Sequence, residues 1–478
     1  MKHENFLREN NARHFWHPMA HPSEMLENPP MIISKAENVE VQNIDGHVML
    51  DAVGGLWNVN LGYSCEPIKN AMIEQINLMP YCNTFRGITN DKAIELSYKL
   101  KEWFSSDGME KVFFTQGGSD SIDTAMRLVR QYWKVRGKID KIKFIALSKG
   151  YHGTHYGGAS LSGDPRFRRN YEPGVPGIFH IPTPYTYRNP FDEENPENLS
   201  KKCIQSLEAL IASQGSDTIA AFVMEPVIGS GGVIVPHENF MKQIRNICDK
   251  NEILLIADEV ICAFGRTGEW TGSRLWGVKP DVMTIAKALT GGYFPMGATL
   301  LSGEISEAIE KNDNTLGLLG HGYTNSGNPV GAAAALAALE ETNKLNLASN
   351  AKATKSIFNS TEIVGRNRTN AFFYFLYDSS TNSYSISYFS DFPLQKNGTG
   401  IIRIDNKKEI PLKVLGSQNQ INFKNAGAFS ISNNDVNLLI SGTKITSVFN
   451  AVDNSTLVDE FSLIGFTKSL KYMSANCI

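Results

Sequence analysis

The chain holds six cysteines in 478 residues, and no two of them stand at Cys-x-x-Cys spacing. Scattered at Cys65, Cys82, Cys203, Cys248, Cys262 and Cys477, they do not read as a zinc or disulfide framework but as reduced thiols of a cytoplasmic protein. Net charge is nearly absent too, at −3, which removes the electrostatic case for nucleic acid or an anionic membrane as partner. No apolar run is long enough to span a bilayer, and Met1-Lys-His-Glu-Asn-Phe-Leu-Arg lacks the apolar stretch of a signal peptide. The expectation is a soluble protein long enough for two or three domains.

What is present begins with a hairpin. Residues 39–44 and 47–51 flank Asp45-Gly46, a two-residue turn signal, and residues 1–62 are read as an N-terminal segment around it. From about 88 to 325 the pattern becomes apolar strands at 111–114, 143–147, 219–224, 253–257, 282–286 and 298–301. Amphipathic runs such as 121–136 and 238–250 separate them, and a helix rich in small residues, 329–341, closes the region. Near-continuous apolar strands alternating with helices predict an α/β fold with a mostly parallel sheet covered on both faces, assigned to residues 63–350.

Two of these strands each deliver an ionisable residue at the C-terminal end, where open α/β sheets place ligands. One segment, Asp281-Val-Met-Thr-Ile-Ala-Lys-Ala-Leu-Thr-Gly-Gly-Tyr-Phe-Pro-Met-Gly297, carries Lys287; the other, Ile256-Ala-Asp-Glu-Val260, carries Asp258. A lysine there can form a Schiff base with an aldehyde, and an aspartate can keep a pyridine nitrogen protonated. Pyridoxal 5'-phosphate (PLP) needs both functions to act as an electron sink. After strand 111–114, Gln116-Gly-Gly-Ser-Asp120 opens a helix, so that Gly118 admits a close backbone approach and Ser119 adds a hydroxyl to the free N–H groups of an anion site. Gly150-Tyr-His-Gly153 brings Tyr151, able to stack on a planar ring, and His152; Met224-Glu-Pro226 puts Glu225 at the same rim. His321-Gly-Tyr-Thr-Asn-Ser-Gly-Asn-Pro329 offers hydroxyls before the last helix. A surface lysine, a glycine turn made for packing, a packing tyrosine and a satisfied loop histidine are the plainer readings of these signals taken singly. Their common placement at strand C-termini argues for one site.

These motifs, with Arg13-His-Phe-Trp-His-Pro18, Gly54-Gly-Leu-Trp-Asn-Val-Asn-Leu-Gly-Tyr63 and Asp258-Glu-Val, make residues 10 to about 350 resemble class III (ω-type) aminotransferases of the fold-type I PLP enzymes. The resemblance implies that Lys287 bonds the cofactor and later shuttles a proton, that Asp258 pairs with the ring nitrogen, and that Val260 packs on the ring face opposite Tyr151. It implies phosphate binding by Gly118 and Ser119, further cofactor contacts by His152 and Glu225, and a homodimer in which Thr324 reaches the partner's phosphate. Trp57 and Phe85 match positions lining the substrate pocket. Such enzymes move an amino group from β-alanine, taurine, other ω-amino acids or simple amines to pyruvate, with ping-pong kinetics through the pyridoxamine form.

Beyond about Thr354 the pattern breaks. The resemblance calls for a small C-terminal domain with an Arg-Gly-x-Gly-Leu-like turn and an arginine gripping the substrate carboxylate, and neither is present. Residues 351–478 hold 15 Asn and 17 Ser among 128, a composition unlike the body's. Alternating runs at 371–377, 383–389, 400–405 and 435–440 predict an all-β module, a sandwich or a solenoid-like stack. Arg366, Arg368 and Arg403 are the tail's arginines, none in a matching context. The region reads as a fused β domain, a divergent small domain, or a junction of unrelated reading frames, and the abrupt composition shift favours a junction. The alternative function is therefore a PLP-binding, catalytically impaired body fused to a β interaction module.

Overall fold

In the computed structural model of the chain, residues 2–347 are described together with eight strands between 357 and 462, and side chains are described for 4–345. Near the N-terminus, β1 (Ile33–Glu37), β2 (Glu40–Asn43) and β3 (Val48–Leu50) form a three-stranded antiparallel sheet. The turn between β2 and β3 differs from the expected two-residue loop. Asn43 and His47 close it, Asn43 N–H donating to the His47 carbonyl at 3.1 Å, which leaves 44–46 as a three-residue loop. The cause is local: the Asn43 side-chain oxygen accepts from the Asp45 and His47 amides, at 3.0 and 2.9 Å, and Gly46 takes the left-handed φ of +84° that a bulged turn requires.

The central sheet has seven strands: β4 (Met109–Thr115), β5 (Lys143–Leu147), β6 (Ile178–Ile181), β7 (Ile219–Met224), β8 (Leu254–Asp258), β9 (Val282–Ile285) and β10 (Gly297–Ser302), in the order β4-β10-β9-β8-β7-β5-β6. All six expected strands are there, and β6 is added. Pairing is parallel throughout except at β10, which runs antiparallel to both neighbours. The 286–296 connection from β9 to β10 is shorter than the dozen or so residues that a parallel crossover takes, which accounts for the reversal.

Alternate residues of each strand enter different cores, which is why the strands read as unbroken apolar runs. Phe144 and Ala146 of β5, with Ala221 and Val223 of β7, face the Gly118–Val135 helix through Ile122, Leu128 and Val129. Ile145, Leu147, Phe222 and Met224 face the other layer, the Pro196–Gln214 and Phe240–Lys250 helices, through Leu199, Leu207, Phe240 and Ile244. Phe222 is fully buried, so truncation to alanine should cost roughly 3–5 kcal/mol. The Pro329–Leu347 helix uses its small residues, Ala334 and Ala338, to approach Ile68 of the Glu66–Leu78 helix. Among the described residues no helix is long and apolar enough to cross a membrane.

The C-terminal strands are β11 (Ile357–Ser360), β12 (Ala371–Asp378), β13 (Ser383–Ser390), β14 (Thr399–Ile404), β15 (Lys408–Lys413), β16 (Asn425–Ile431), β17 (Lys444–Asn450) and β18 (Thr456–Ser462). They form two antiparallel four-stranded sheets, β11-β12-β13-β16 and β15-β14-β17-β18. The expected runs at 371–377, 383–389 and 400–405 fall on β12, β13 and β14; the run at 435–440 lies outside the described residues. Pro411 sits in β15, an edge strand, where a missing N–H is tolerated. Arg403 belongs to β14, and Arg366 and Arg368 lie outside the described residues.

Candidate active site

Five parallel strands end at one cavity of about 380 Å³. Gly118 and Ser119 follow β4, Tyr151 and His152 follow β5, Glu225 follows β7, Asp258 ends β8, and Lys287 follows β9; with Val260 all of them line it. The sheet itself thus gathers residues that are up to 169 positions apart in sequence, from Gly118 to Lys287.

Asp258 is held from three directions. Its Oδ2 lies 2.8 Å from His152 Nδ1; because a carboxylate only accepts, that nitrogen carries the proton. Its Oδ1 accepts from the Val260 amide and from Thr284 Oγ1, both at 3.2 Å. Thr284 is the residue of β9 in register with Asp258, so the parallel ladder supplies this partner. His152 is buried, and its Nε2 has no partner among the described residues. The imidazole therefore fixes the carboxylate from behind, and the remaining lone-pair capacity of Asp258 is left for the cavity.

Glu225 accepts the Tyr151 amide on Oε1 at 3.0 Å and the Gly229 amide on Oε2 at 2.8 Å. Burial pushes its pKa up, with the neighbouring Asp258 charge acting in the same direction. Lys287 opens a short 3-10 turn, Lys287–Thr290, at a left-handed φ of +50°, a conformation that non-glycine residues seldom take and that clusters at functional sites. Burial lowers its pKa, partly opposed by Asp258 and Glu225, which raises its share of free, nucleophilic amine.

The anion-binding end is laced across two loops. The Thr154 amide donates to Ser119 Oγ at 3.1 Å. A methyl on Gly153, which has φ +103°, would meet Ser119 Oγ at 2.5 Å and Ser119 Cα at 2.7 Å, and one on Gly118 would lie 3.0 Å from Val260 Cγ1. Gly153 is therefore required by close approach to backbone, and Gly118 sits tightly against the Val260 side chain. They leave the first N–H groups of an 18-residue helix open to the cavity. Helix N–H donors and a hydroxyl, an aromatic ring, a fixed carboxylate and a lysine of lowered pKa form a donor set that fits a phosphorylated pyridine aldehyde.

Three of the expected residues are not brought to this cavity. Trp57 is half-buried at φ +58° in the Gly54–Trp57 turn; Phe85 is 42% exposed and lies against Gly322; Thr324 is exposed, its carbonyl accepting from Tyr81 Oη at 3.0 Å. Conversely, Asn58, Gln116, Ile261 and the stretch Gly292, Phe294, Pro295 and Met296 line it without having been singled out as site residues. Position after a strand end was available as a signal for Gln116, and the glycine pair 291–292 for the last stretch. Asn58 carried none.

Comparison with known proteins agrees with this geometry. A family model described as aminotransferase class III matches residues 22–361, and the chain belongs to that family. It is 40% identical over 311 residues to gamma aminobutyrate transaminase 1 of Solanum lycopersicum, covering 65% of this chain and 60% of that protein. It is 41% identical over 323 residues to a putrescine–pyruvate aminotransferase of Pseudomonas aeruginosa, covering 68% and 70%. The match thus spans about three-fifths to seven-tenths of the length of these curated relatives. Among solved structures, an amine transaminase from an uncultivated Pseudomonas species in its PLP-bound form superposes with a TM-score of 0.70 at 38% identity, over 77% of this chain and 86% of that one. PLP is the cofactor that family and site define together.

Proposed function

We propose that the chain transfers an amino group from an ω-amino acid or a simple primary amine to a keto acid such as pyruvate. The carrying observation is the convergence of Lys287, Asp258 and Glu225 on one cavity whose far end is a helix N-terminus. When bound, PLP supplies an electron sink for the carbon that loses its proton. Lys287 Nζ is the base that takes and returns that proton, its lowered pKa suiting the task. Asp258, steadied by His152 and Thr284, would keep a proton on the ring nitrogen through a charge-assisted hydrogen bond worth roughly 1.5–3 kcal/mol. Gly118 and Ser119 would hold the phosphate and Tyr151 and Val260 would contact the ring, while Glu225 orients the Tyr151 loop through the Tyr151 amide.

Thr324 is assigned to the cavity of a second copy, a homodimer, with Trp57 and Phe85 completing the donor pocket; their exposed or half-buried loop positions outside the chain's own cavity support this. Residues 63–350 form the PLP-binding domain, 1–62 an N-terminal segment, and 351–478 a β-rich region in place of the small domain. A cytoplasmic location is supported by free Cys65, Cys82, Cys203, Cys248 and Cys262. A second reading, a cofactor-binding body of impaired turnover carrying a β interaction module, is favoured by one observation: no arginine stands among the described residues lining the cavity.

The visible spectrum of the PLP-loaded full-length protein decides between them. Bleaching on addition of β-alanine or a simple primary amine, reversed by pyruvate, is the expected result. A spectrum that forms but answers neither addition would point to the impaired body.

A further inference from the structure

We infer that Asp51, outside the cavity, is a positioning residue for the wall that receives the amine donor: its carboxylate, clasped by Tyr63, holds the 54–58 loop in a left-handed form that presents Asn58 to the cavity. This rests on the transaminase reading only for the identity of the donor.

The loop is strained. Gly54, Gly55 and Trp57 have φ of +68°, +65° and +58°, and a tryptophan seldom takes such a value. Strained backbone persists only where its surroundings over-determine it. Here the restraint converges on one side chain. Asp51 Oδ1 accepts the Gly54 amide at 3.1 Å, while Oδ2 accepts the Gly55 amide and Tyr63 Oη, both at 2.6 Å. Burial, together with the Asp51 carboxylate, pushes the Tyr63 phenol up to about 12, so it remains a donor across the working range. The loop then closes on itself, with Asn58 Oδ1 accepting the Leu56 amide at 2.9 Å and the Asn58 amide donating to the Gly54 carbonyl at 3.0 Å.

Its far side reaches the segment that carries Lys287. Asn58 lines the cavity beside Gly292, where an added methyl would lie 3.0 Å from Asn58 Nδ2. Tyr293 Oη donates to the Gly62 carbonyl at 2.8 Å, pinning the loop's exit to the same stretch. Nothing in this chain of bonds touches the anion-binding end or Asp258. Loss of the clasp should therefore weaken donor binding and spare the cofactor.

The test uses the full-length PLP-loaded protein and Asp51→Asn, which exchanges one accepting oxygen for a donor. The variant should raise KM for β-alanine or a simple primary amine about tenfold, the loss of a hydrogen bond to a charged group, with kcat and PLP affinity nearly unchanged. Tyr63→Phe should act in the same direction, about threefold. Gly55→Ala, whose methyl would meet Asn58 Oδ1 at 2.6 Å, should reproduce Asp51→Asn and add little to it, since both unseat one loop. Hydrogen exchange reads the clasp independently of turnover: faster exchange confined to 54–58 supports it even in a protein that transaminates nothing. Unchanged exchange there, acceleration throughout the chain, or a fall in PLP affinity parallel to the rise in KM overturns it. A wild type that takes up PLP but answers no amine defeats the transaminase reading instead.

Discussion

The strand ends bring the cofactor residues of one chain to its cavity, whereas Trp57 and Phe85, expected in the donor pocket, and Thr324, expected at a partner's phosphate, sit on exposed or half-buried loops outside it. Both sets belong to one expected site, yet only the first is gathered by a single chain. A buried parallel sheet fixes the positions of its C-terminal residues through ladder register and two packed faces. Asp258 and Thr284 meet because β8 and β9 pair there. Loop residues have no such register, so their place depends on local clasps and, in the dimer we propose, on a second copy. The lesson is that strand-end chemistry and loop chemistry should fail differently when perturbed.

The largest expected effect is on the strand-end side. Asp258→Asn should lower kcat about 10²–10³-fold, the scale on which a preorganised electrostatic group acts, and the thermal midpoint will show whether the fold survives. Next comes Gly153→Ala, which forces a methyl against Ser119 from a left-handed backbone; PLP affinity should fall by roughly 1–3 kcal/mol, read by titration, while the donor KM at saturating PLP stays put. Trp57→Ala or Phe85→Ala should do the reverse, raising the donor KM roughly tenfold or less with PLP affinity unchanged. If either alters PLP binding as strongly as Gly153→Ala does, the division between the two sides collapses.

The smallest effect is on stability against pH. Burial lowers the pKa of Lys287 in the folded chain, so between that value and the ordinary lysine range the unfolded chain binds more protons. The cofactor-free protein should therefore gain stability as pH rises through that window. Urea midpoints measured across it should show a shallower slope in Lys287→Met; an equal slope would mean that the folded amine titrates like a free lysine.

Much of the body was legible because its strands are buried on both faces and so appear as unbroken apolar runs. β6 escaped because Ile178-Phe-His-Ile is short and carries a histidine. The antiparallel sense of β10 follows from the length of the 286–296 connection, a feature that strand composition does not encode. Lys287, Asp258, Glu225, Tyr151, His152, Gly118 and Ser119 line the cavity where their place after apolar runs put them, and Val260, expected from the resemblance alone, joins them, whereas Asn58 comes to the cavity through a loop whose φ values no periodicity announces. The turn at 44–46 was misread by one residue, since Asn43 bonds its own turn and thereby competes with the tighter loop. In the tail, aromatic alternation marked β12 and β13, but Asn425–Ile431, rich in small residues, gave no such signal for β16.

The residues that one chain gathers at its strand ends, all before 325, are held to be enough to bind PLP through Lys287. Titration of the full-length protein and of Lys287→Ala with PLP, followed by visible absorption, tests it most directly. A saturable spectral change at about one PLP per chain that Lys287→Ala loses is the predicted result. Identical spectra for the two proteins, or no uptake by the wild type, would contradict it.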